Sequence, residues 1–218
     1  MISNRLKIIA SFVPVDSNIA DIGSDHGYLL IYLKDNHFSG KLLGVENKKG
    51  PFQSLKNNIL SKKYSKQINA SFSDGLDCVD NSYDTIVLAG MGTDNIIKII
   101  SKNLNKLKNI KTIIVDSHTK NDLLRHYLVD NGYKIDKEAI LLEDNIYYEI
   151  IRFVKGISDY NELDYCFGPL LRIEKSDIFL SKYNSELDKY EQILSNINDD
   201  SSRKKEVESR IELINKIL

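Results

Sequence analysis

The stretch ADIGSDHGYLL, residues 20–30, decides the fold of this chain. Its first three residues end a short apolar run, and a second apolar run with helical spacing begins at Tyr28. Between the two, Gly23 permits a tight turn, and the start of the helix offers unpaired backbone N–H groups to an anionic ligand. A strand, a glycine turn and a helix in this order predict the first unit of a ligand-binding α/β sheet.

Short β-branched runs alternate with longer helical stretches through residues 17–155. The predicted strands cover residues 18–22, 41–46, 69–73, 85–89 and 112–115, and the predicted helices cover residues 4–13, 28–36, 51–62, 94–107 and 121–131. Mostly apolar short strands are typical of parallel strands that are buried on both faces. Two closely spaced runs, residues 133–142 and 147–154, should then pair antiparallel. Five parallel strands followed by a hairpin predict an α/β fold with a Rossmann-like class I methyltransferase sheet.

The C-terminal part has a different periodicity. Apolar residues recur at steps of three and four through residues 179–197 and again through 207–218, with a polar stretch at 198–202 between them. This pattern predicts two amphipathic helices joined as an antiparallel hairpin. The predicted seam residues are Tyr183, Leu187, Tyr190 and Leu194 on the first helix and Ile211, Ile214 and Leu218 on the second. We therefore expect a Rossmann-like domain over residues 1–165 and a coiled-coil-like helical domain over residues 166–218.

Acidic residues and glycines follow the first four predicted strands, whose carboxyl ends should meet at one crevice. Asp25 stands where the common G-x-G-x-x-G pattern has its second glycine. A carboxylate there would repel a pyrophosphate, but it can face the ammonium or sulfonium group of S-adenosylmethionine. Glu46 closes the second strand, where an acid can accept hydrogen bonds from both ribose hydroxyls. Asp74-Gly75 follows the third strand, where a carboxylate can accept a hydrogen bond from an adenine amino group, and Ala89-Gly90-Met91-Gly92 follows the fourth.

Eight segments together carry a resemblance to a known family. They are Arg5-Leu6, ADIGSDHGYL at 20–29, Gly50-Pro51-Phe52, Asp74-Gly75-Leu76, AGMG at 89–92, GYKI at 132–135, Tyr148-Glu149 and Phe167-Gly168-Pro169. The chain resembles the TrmK family, bacterial S-adenosylmethionine-dependent methyltransferases that modify N1 of adenine 22 in the tRNA D-arm. The resemblance covers almost the whole chain and implies a Rossmann-like domain that carries a coiled-coil-like domain. It departs after the fifth strand, where the family tends to have Gln-Pro-Asn and this chain has Asp116-Ser117-His118.

The strand ends and the resemblance together give the expected site. The expected cofactor-binding residues are Asp21, Gly23, Asp25, His26, Glu46, Asn47, Asp74, Gly75, Ala89, Gly90 and Met91. We expect Arg5, Tyr28 and Arg125 to contact the substrate, with Arg5 across the mouth of the crevice. No catalytic residue is assigned, and Asp116 and His118 are the candidates. Adenine N1 carries an in-plane lone pair that attacks a methyl group without prior deprotonation, so the task of the protein is positioning and dispersal of charge.

The net charge of the chain says little about its partners, but the distribution of the charged residues along the sequence is informative. Thirty Lys and Arg stand against thirty-one Asp and Glu, a net charge of −1. Residues 41–66 nevertheless hold seven Lys against one acid, and residues 98–125 hold six Lys and one Arg against two Asp. Such clusters are commonly solvated helix faces. With an RNA-modifying resemblance, phosphate contact becomes the better interpretation for part of them.

Several other classes of protein are disfavoured. No apolar run approaches the roughly 18 residues of a membrane span, and the first residues do not have the form of a signal peptide. Cys78 and Cys166 lie far apart and form neither a disulfide framework nor a zinc ligand set. We therefore expect a cytoplasmic protein that binds tRNA, without a metal ion and without a membrane.

Two other functions stay open from the sequence alone. The first is a small-molecule methyltransferase whose helical hairpin caps the pocket. The second is a non-catalytic module that binds S-adenosylmethionine or a nucleotide and uses its hairpin to bind partners. We expect a monomer in which the hairpin positions the tRNA body, and the alternative is a dimer formed through the apolar seam of the hairpin.

Overall fold

The computed structural model describes residues 2–197 and 202–218. The helices are α1 (Asn4–Phe12), α2 (Tyr28–Asp35), α3 (Lys49–Ser61), α4 (Thr93–Lys102), α5 (Asn121–Asp130), α6 (Glu162–Phe167), α7 (Leu171–Glu174), α8 (Asp177–Ser195) and α9 (Ser202–Asn215). The strands are β1 (Ile19–Ile22), β2 (Leu42–Glu46), β3 (Ile68–Phe72), β4 (Thr85–Ala89), β5 (Thr112–Ser117), β6 (Tyr133–Glu143) and β7 (Ile146–Lys155). None of the described helices combines the length and the apolar composition needed to cross a membrane.

The described strands form one seven-stranded sheet in the order β3-β2-β1-β4-β5-β7-β6. Strands β1 to β5 run parallel, and β7 pairs antiparallel with both β5 and β6. The predicted class, five parallel strands followed by a hairpin, is confirmed. Strand β5 extends past its predicted end because Asp116 and Ser117 pair with Ile150 and Glu149 of β7.

Apolar side chains cover both faces of the sheet, as the mostly apolar strands predict. On one face the core includes Ile96 of α4 and Leu124 of α5, both fully buried. On the other face it includes Ile9 of α1, Leu30 of α2 and Leu55 of α3. Helices on both faces fix the strands in place, and the loops at the carboxyl ends of the strands are left to build a site.

Helix α1 is tied at both ends to the β6–β7 hairpin, which lies far away in the sequence. The backbone N–H of Asn4 donates to Oε1 of Glu143 at 3.0 Å. At the other end, Nη1 of Arg152 donates to the carbonyl of Phe12 at 2.9 Å. Because both ends are held, the first turn of α1 has a fixed position beside the ends of β5 and β7.

Helices α8 and α9 pack against each other and against the end of the sheet. A third apolar cluster joins Phe179 and Tyr183 of α8 to Ile214 and Ile217 at the C-terminus. The predicted seam is wrong at its last position, because Leu218 is 38% exposed whereas Ile217 is only 3% exposed. Of the predicted turn at 198–202, residues 198–201 lie outside the described residues.

Two short helices, α6 and α7, precede the hairpin and were not predicted. Six and four residues are too few to show a helical period. The clearest local signal for α6 is its cap, in which Asn161 and Asp164 each accept a hydrogen bond from the other's backbone N–H. This reciprocal arrangement satisfies two N–H groups that a helix start leaves without partners.

A buried ionic network joins the sheet to α5 and α8. Nη2 of Arg125 lies 2.9 Å from Oε1 of Glu138 and 2.6 Å from Oε2 of Glu149, and the Arg125 side chain has no exposed surface. The other oxygen of Glu149 accepts from Lys182 and from the hydroxyl of Tyr183. Burial alone would raise the pKa of Glu149, but Lys182 and Arg125 together lower it to about 2. The prediction that Arg125 contacts the substrate is therefore wrong, because this guanidinium is buried and already paired with Glu138 and Glu149.

We expect Arg125→Ala to lower the free energy of unfolding by about 3–5 kcal/mol, because it leaves Glu138 and Glu149 buried without their shared cation. Urea denaturation followed by circular dichroism measures the change. Arg203→Ala is the matched control at an exposed position, where the change should stay within about 0.5 kcal/mol. A loss of less than about 1 kcal/mol in the Arg125 variant would contradict this account of the network.

Candidate active site

A crevice opens at the carboxyl ends of β1, β2 and β4 and has a volume of about 700 Å³. Its lining residues are Arg5, Leu6, Asp21, Gly23, Ser24, Asp25, His26, Tyr28, Leu29, Glu46, Asn47, Lys48, Pro51, Ala89, Gly90, Met91 and Asn95. A side cavity of about 90 Å³ adjoins it and is lined in part by Asp74, Gly75 and Ile99. Gly23, Asn47, Met91 and Asn95 line both spaces, so the two form one continuous cleft.

The turn after β1 forms the floor of the crevice. Gly23 and Gly27 have φ angles of +73° and +72°, and Asp25 between them has a φ of +49°. A Cβ atom on Gly23 would lie 3.0 Å from the Cε atom of Met91, so a side chain at this position would fill the narrow junction of the two cavities. Glycine suits this position because L side chains rarely adopt this φ angle.

Two carboxylates lie under this turn. Oε1 of Glu46 accepts a hydrogen bond from the backbone N–H of Asp25 at 2.6 Å, which fixes the turn against the end of β2. Asp21 is buried one strand away, and its burial together with the nearby charge of Glu46 raises its pKa to about 7. The floor of the crevice therefore carries one fixed acceptor and one carboxyl group that titrates near neutral pH.

The side cavity is built around Asp74, which follows β3. Its Oδ1 accepts from Nδ2 of Asn47 at 3.0 Å, and its Oδ2 lies 3.1 Å from Nζ of Lys102. The hydrogen bonds from Lys102 and Asn47 lower the pKa of Asp74. Because both partners donate to this carboxylate, they favour its ionised form and fix its orientation as an acceptor.

Arg5 lies at the opposite end of the crevice, beside the end of β5. Its Nη1 donates to Oδ2 of Asp116 at 2.8 Å, and its guanidinium lies 4.7 Å from the centre of the Tyr148 ring. The backbone N–H of Gly90 donates to the carbonyl of Asp116 at 3.3 Å, which joins the β4 turn to the same strand end. Burial raises the pKa of Asp116, and the charge of Arg5 opposes this effect. The pair therefore holds Arg5 in a fixed position along the wall of the crevice.

The expected site residues fall into three groups. Arg5, Asp21, Gly23, Asp25, His26, Tyr28, Glu46, Asn47, Ala89, Gly90 and Met91 line the crevice. Asp74 and Gly75 line the side cavity. Asp116, His118 and Arg125 line neither space: Asp116 lies behind Arg5, His118 meets the Tyr148 ring edge-on at 6.1 Å, and Arg125 is buried under α8.

Several lining residues were missed in the sequence. Ser24 and Asn95 line the crevice from the β1 turn and from the first turn of α4, and Lys48 and Pro51 come from the start of α3. Pro51 stands within a segment that carries the family resemblance, so a signal for it was available. The described residues contain no group of three or more His, Cys, Asp or Glu side chains arranged to hold a metal ion.

The comparisons with known proteins agree with one another. The family model for tRNA (adenine(22)-N(1))-methyltransferase, TrmK, matches residues 19–216. The Bacillus subtilis tRNA (adenine(22)-N(1))-methyltransferase is 30% identical over an aligned length of 230 residues, gaps included. The aligned region covers 100% of this chain and 97% of that protein. The crystal structure of the B. subtilis enzyme has a TM-score of 0.91 at 29% identity, with 100% and 98% of the two chains covered.

A second solved relative carries a ligand in its site. M. capricolum TrmK, in complex with the cofactor product S-adenosyl-homocysteine, has a TM-score of 0.91 at 30% identity, with 99% of this chain and 97% of that chain covered. The match of the family model spans residues 19–216, and the fold agrees with the solved structures of this family. The chain belongs to the TrmK family of tRNA (adenine(22)-N(1))-methyltransferases.

Proposed function

We propose that the crevice binds S-adenosylmethionine and that the protein transfers the methyl group of this cofactor to N1 of adenine 22 in tRNA. The observation that carries the proposal is the convergence of Asp21, Glu46 and Asp74, each from a different strand end, on one continuous cleft. These carboxylates suit a ligand that has a cationic end, a ribose and an adenine amino group. The complex of M. capricolum TrmK with the cofactor product supports this assignment.

The proposed cofactor contacts follow the order of the strands. Glu46 accepts from the ribose hydroxyls, and Asp74 accepts from the adenine amino group in the side cavity. Asp21 and Asp25 face the cationic part, and His26 and Asn47 complete the walls. Gly23, Gly75 and the Ala89-Gly90-Met91 turn supply the walls of the cleft beside these groups.

The reaction requires the protein to position the target adenine and the methyl group, and it does not require a general base. When adenine N1 attacks the methyl group, the positive charge of the sulfonium passes to the base, and no proton has to leave the attacking nitrogen. The residues of this chain therefore align the base and stabilise the shifted charge. Arg5 and the half-exposed Tyr28 stand at the mouth of the crevice and are the proposed substrate contacts. Asp116 acts through Arg5, which it holds in place, and His118 is not among the residues that line the crevice.

The mouth of the crevice favours RNA over a small molecule. An enzyme that encloses a small acceptor needs an apolar lid, whereas this mouth carries the charged Arg5 and Lys48 and the exposed ring of Tyr28. We propose a cytoplasmic monomer, divided into a Rossmann-like domain (residues 1–165) and a helical domain (residues 166–218) that positions the tRNA body. Removing residues 170–218 would take Lys182 and Tyr183 away from the buried Glu149, so this role has to be tested in the full chain.

The function is tested by methyl transfer from labelled S-adenosylmethionine to unmodified tRNA. We expect one methyl group per tRNA that carries adenine at position 22, and none when that adenine is replaced by guanine.

Glu46→Gln should bind the cofactor about 10- to 150-fold more weakly, because a hydrogen bond to a charged group contributes about 1.5–3 kcal/mol. Isothermal titration calorimetry measures this affinity. Unchanged affinity in the Glu46 variant, or equal labelling of both tRNAs, would contradict the proposal.

We expect cofactor affinity to rise with pH, because Asp21 ionises at about pH 7 and its carboxylate then attracts the cationic cofactor. Below that pH the neutral carboxyl group lacks this attraction, so binding should be about 3- to 10-fold tighter at pH 8 than at pH 6. Calorimetry at the two pH values gives the ratio. Asp21→Asn, titrated in parallel, isolates the part of the ratio that comes from this residue. Identical ratios for the variant and the wild type would show that Asp21 takes no part.

We expect Arg5→Ala to leave cofactor affinity within about twofold and to reduce kcat/KM for tRNA by about tenfold or more, a loss of about 1.4 kcal/mol. The physical reason is that Arg5 is the cationic side chain nearest the β5 end of the crevice, where the base must enter. Arg5→Lys keeps the charge without the planar fork and should recover only part of the activity. If cofactor affinity and tRNA methylation fall together, Arg5 is a structural residue.

A further inference from the structure

The two basic clusters of the sequence differ in how many of their lysines are paired within the protein. In residues 98–125 most cations are already engaged. Lys102 pairs with Asp74 and Asp77, Lys111 with Asp84 and Lys120 with Asp94. Lys106 donates to three backbone carbonyls of the loop after β3, and Arg125 is buried. This cluster holds loops and helices together and leaves little charge for an external partner.

The cluster in residues 41–66 is largely free. Among the described residues, only Lys62 of these seven lysines forms an ion pair, with Asp35. From residue 47 to residue 73 the sequence contains six Lys and no Asp or Glu. Helix α3 lies within this stretch and is about 20 Å long at 1.5 Å per residue. A positive strip with no carboxylate of its own therefore follows the outer edge of the sheet.

Two aromatic rings and an exposed leucine lie on the same strip. The rings of Phe52 and Phe72 are 5.4 Å apart, and Nζ of Lys56 is 5.7 Å from the Phe52 ring. Phe72 is 50% exposed and Leu60 is 67% exposed. Phe72 ends β3, which is the edge strand of the described sheet. An exposed aromatic ring beside unpaired lysines is the arrangement on which unpaired bases stack.

A groove of about 410 Å³ follows these residues between α3 and β3. Its lining residues are Gln53, Lys56, Asn57, Ile59, Leu60, Ser65, Ile68, Asn69 and Ala70. Amide and hydroxyl groups provide both donors and acceptors there, and none of the lining residues is acidic. We define the α3–β3 face as this groove together with Phe52 and Phe72.

The α3–β3 face is continuous with the crevice. Phe72 pairs in register with Glu46, so the exposed ring stands at the same sheet edge as the proposed ribose contact. Lys48 and Pro51, at the start of α3, line the crevice itself. A chain that leaves the mouth of the crevice over α3 thus meets the aromatic pair first and the groove after it.

We propose that the α3–β3 face binds the tRNA beside its target nucleotide, with Phe72 stacking on an unpaired base and Lys56 neutralising a neighbouring phosphate. The proposal rests on the proposed function and adds to it the place where the RNA lies. Charge complementarity favours RNA as the occupant, because residues 47–73 contribute six lysines and no acid, and of these lysines only Lys62 has an ion-pair partner among the described residues. The C-terminal hairpin lacks this property, since residues 170–218 hold nine basic and ten acidic residues.

The test measures tRNA affinity of the full-length protein as a function of salt. Lys56→Gln should lower the slope of log affinity against log salt by about 0.7–0.9, the value of one lost phosphate contact. Phe72→Ala should weaken tRNA binding at least about fivefold, whereas Phe72→Tyr, which keeps the ring, should stay within about twofold of wild type. Calorimetry should show cofactor affinity within about twofold of wild type for all three variants.

Matched controls come from the other side of the molecule. Lys108→Gln removes an exposed lysine of the second cluster, and Ile157→Ala removes an exposed apolar side chain after β7. Both should bind tRNA like wild type. Equal effects of Lys56→Gln and Lys108→Gln, or equal loss in Phe72→Ala and Phe72→Tyr, would overturn the proposal.

Two further outcomes separate the rival explanations. A wild-type dimer in sedimentation that Phe72→Ala converts to monomer would assign the face to a second copy of the chain and overturn the proposal. If the wild-type protein transfers no methyl group to tRNA, the proposed function fails, while the tRNA dissociation constants still decide the role of the face. If transfer proceeds and both Lys56→Gln and Phe72→Ala bind tRNA like wild type, the face is wrongly assigned and the function stands.

Discussion

The parallel pairing of β1 with β2 on one side and with β4 on the other is the constraint on which the site depends. It brings three strand ends to one edge of the sheet, so that Asp21 and Met91, seventy positions apart, line a single crevice. The glycine turn after β1 then allows close approach to Met91, and Glu46 locks that turn through the N–H of Asp25. Asp21 and Glu46 line the same crevice only because the strands pair in this register.

Most of this frame could be predicted from the sequence, because strands buried on both faces are written as short apolar runs and the loops after them carry glycines and acids. The fate of individual charges could not. In the sequence, Arg125 cannot be distinguished from the other basic residues of a Lys-rich segment. Only the fold shows that it lies between Glu138 and Glu149. The error at Leu218 has a related cause, since a one-residue shift at a helix end changes which side chain is buried.

The position of Arg5 shows a second limit of sequence reasoning. Its contacts with Asp116 and Tyr148 join residues more than a hundred positions apart, and no local pattern specifies such a contact. The lysines show the same limit in another form. Two segments with similar numbers of lysines differ in how those lysines are used. In one, side chains such as Lys106, which donates to three carbonyls, hold loops together, and in the other most lysines have no ion-pair partner among the described residues. Composition counts charges, whereas function depends on which of them are still available.

The ties between α1 and the β6–β7 hairpin have a consequence for the order of assembly. Asn4 bonds to Glu143 and Phe12 bonds to Arg152, sequence separations of 139 and 140 residues. Closing so long a loop is costly until the intervening sheet exists, so these two ties form only after β6 and β7 have joined the sheet. During synthesis the ribosome must release the chain beyond residue 152 before Arg5 can reach its place. A nascent chain therefore completes the floor of its crevice before it acquires this wall, and it becomes a competent enzyme only when the last strands have formed.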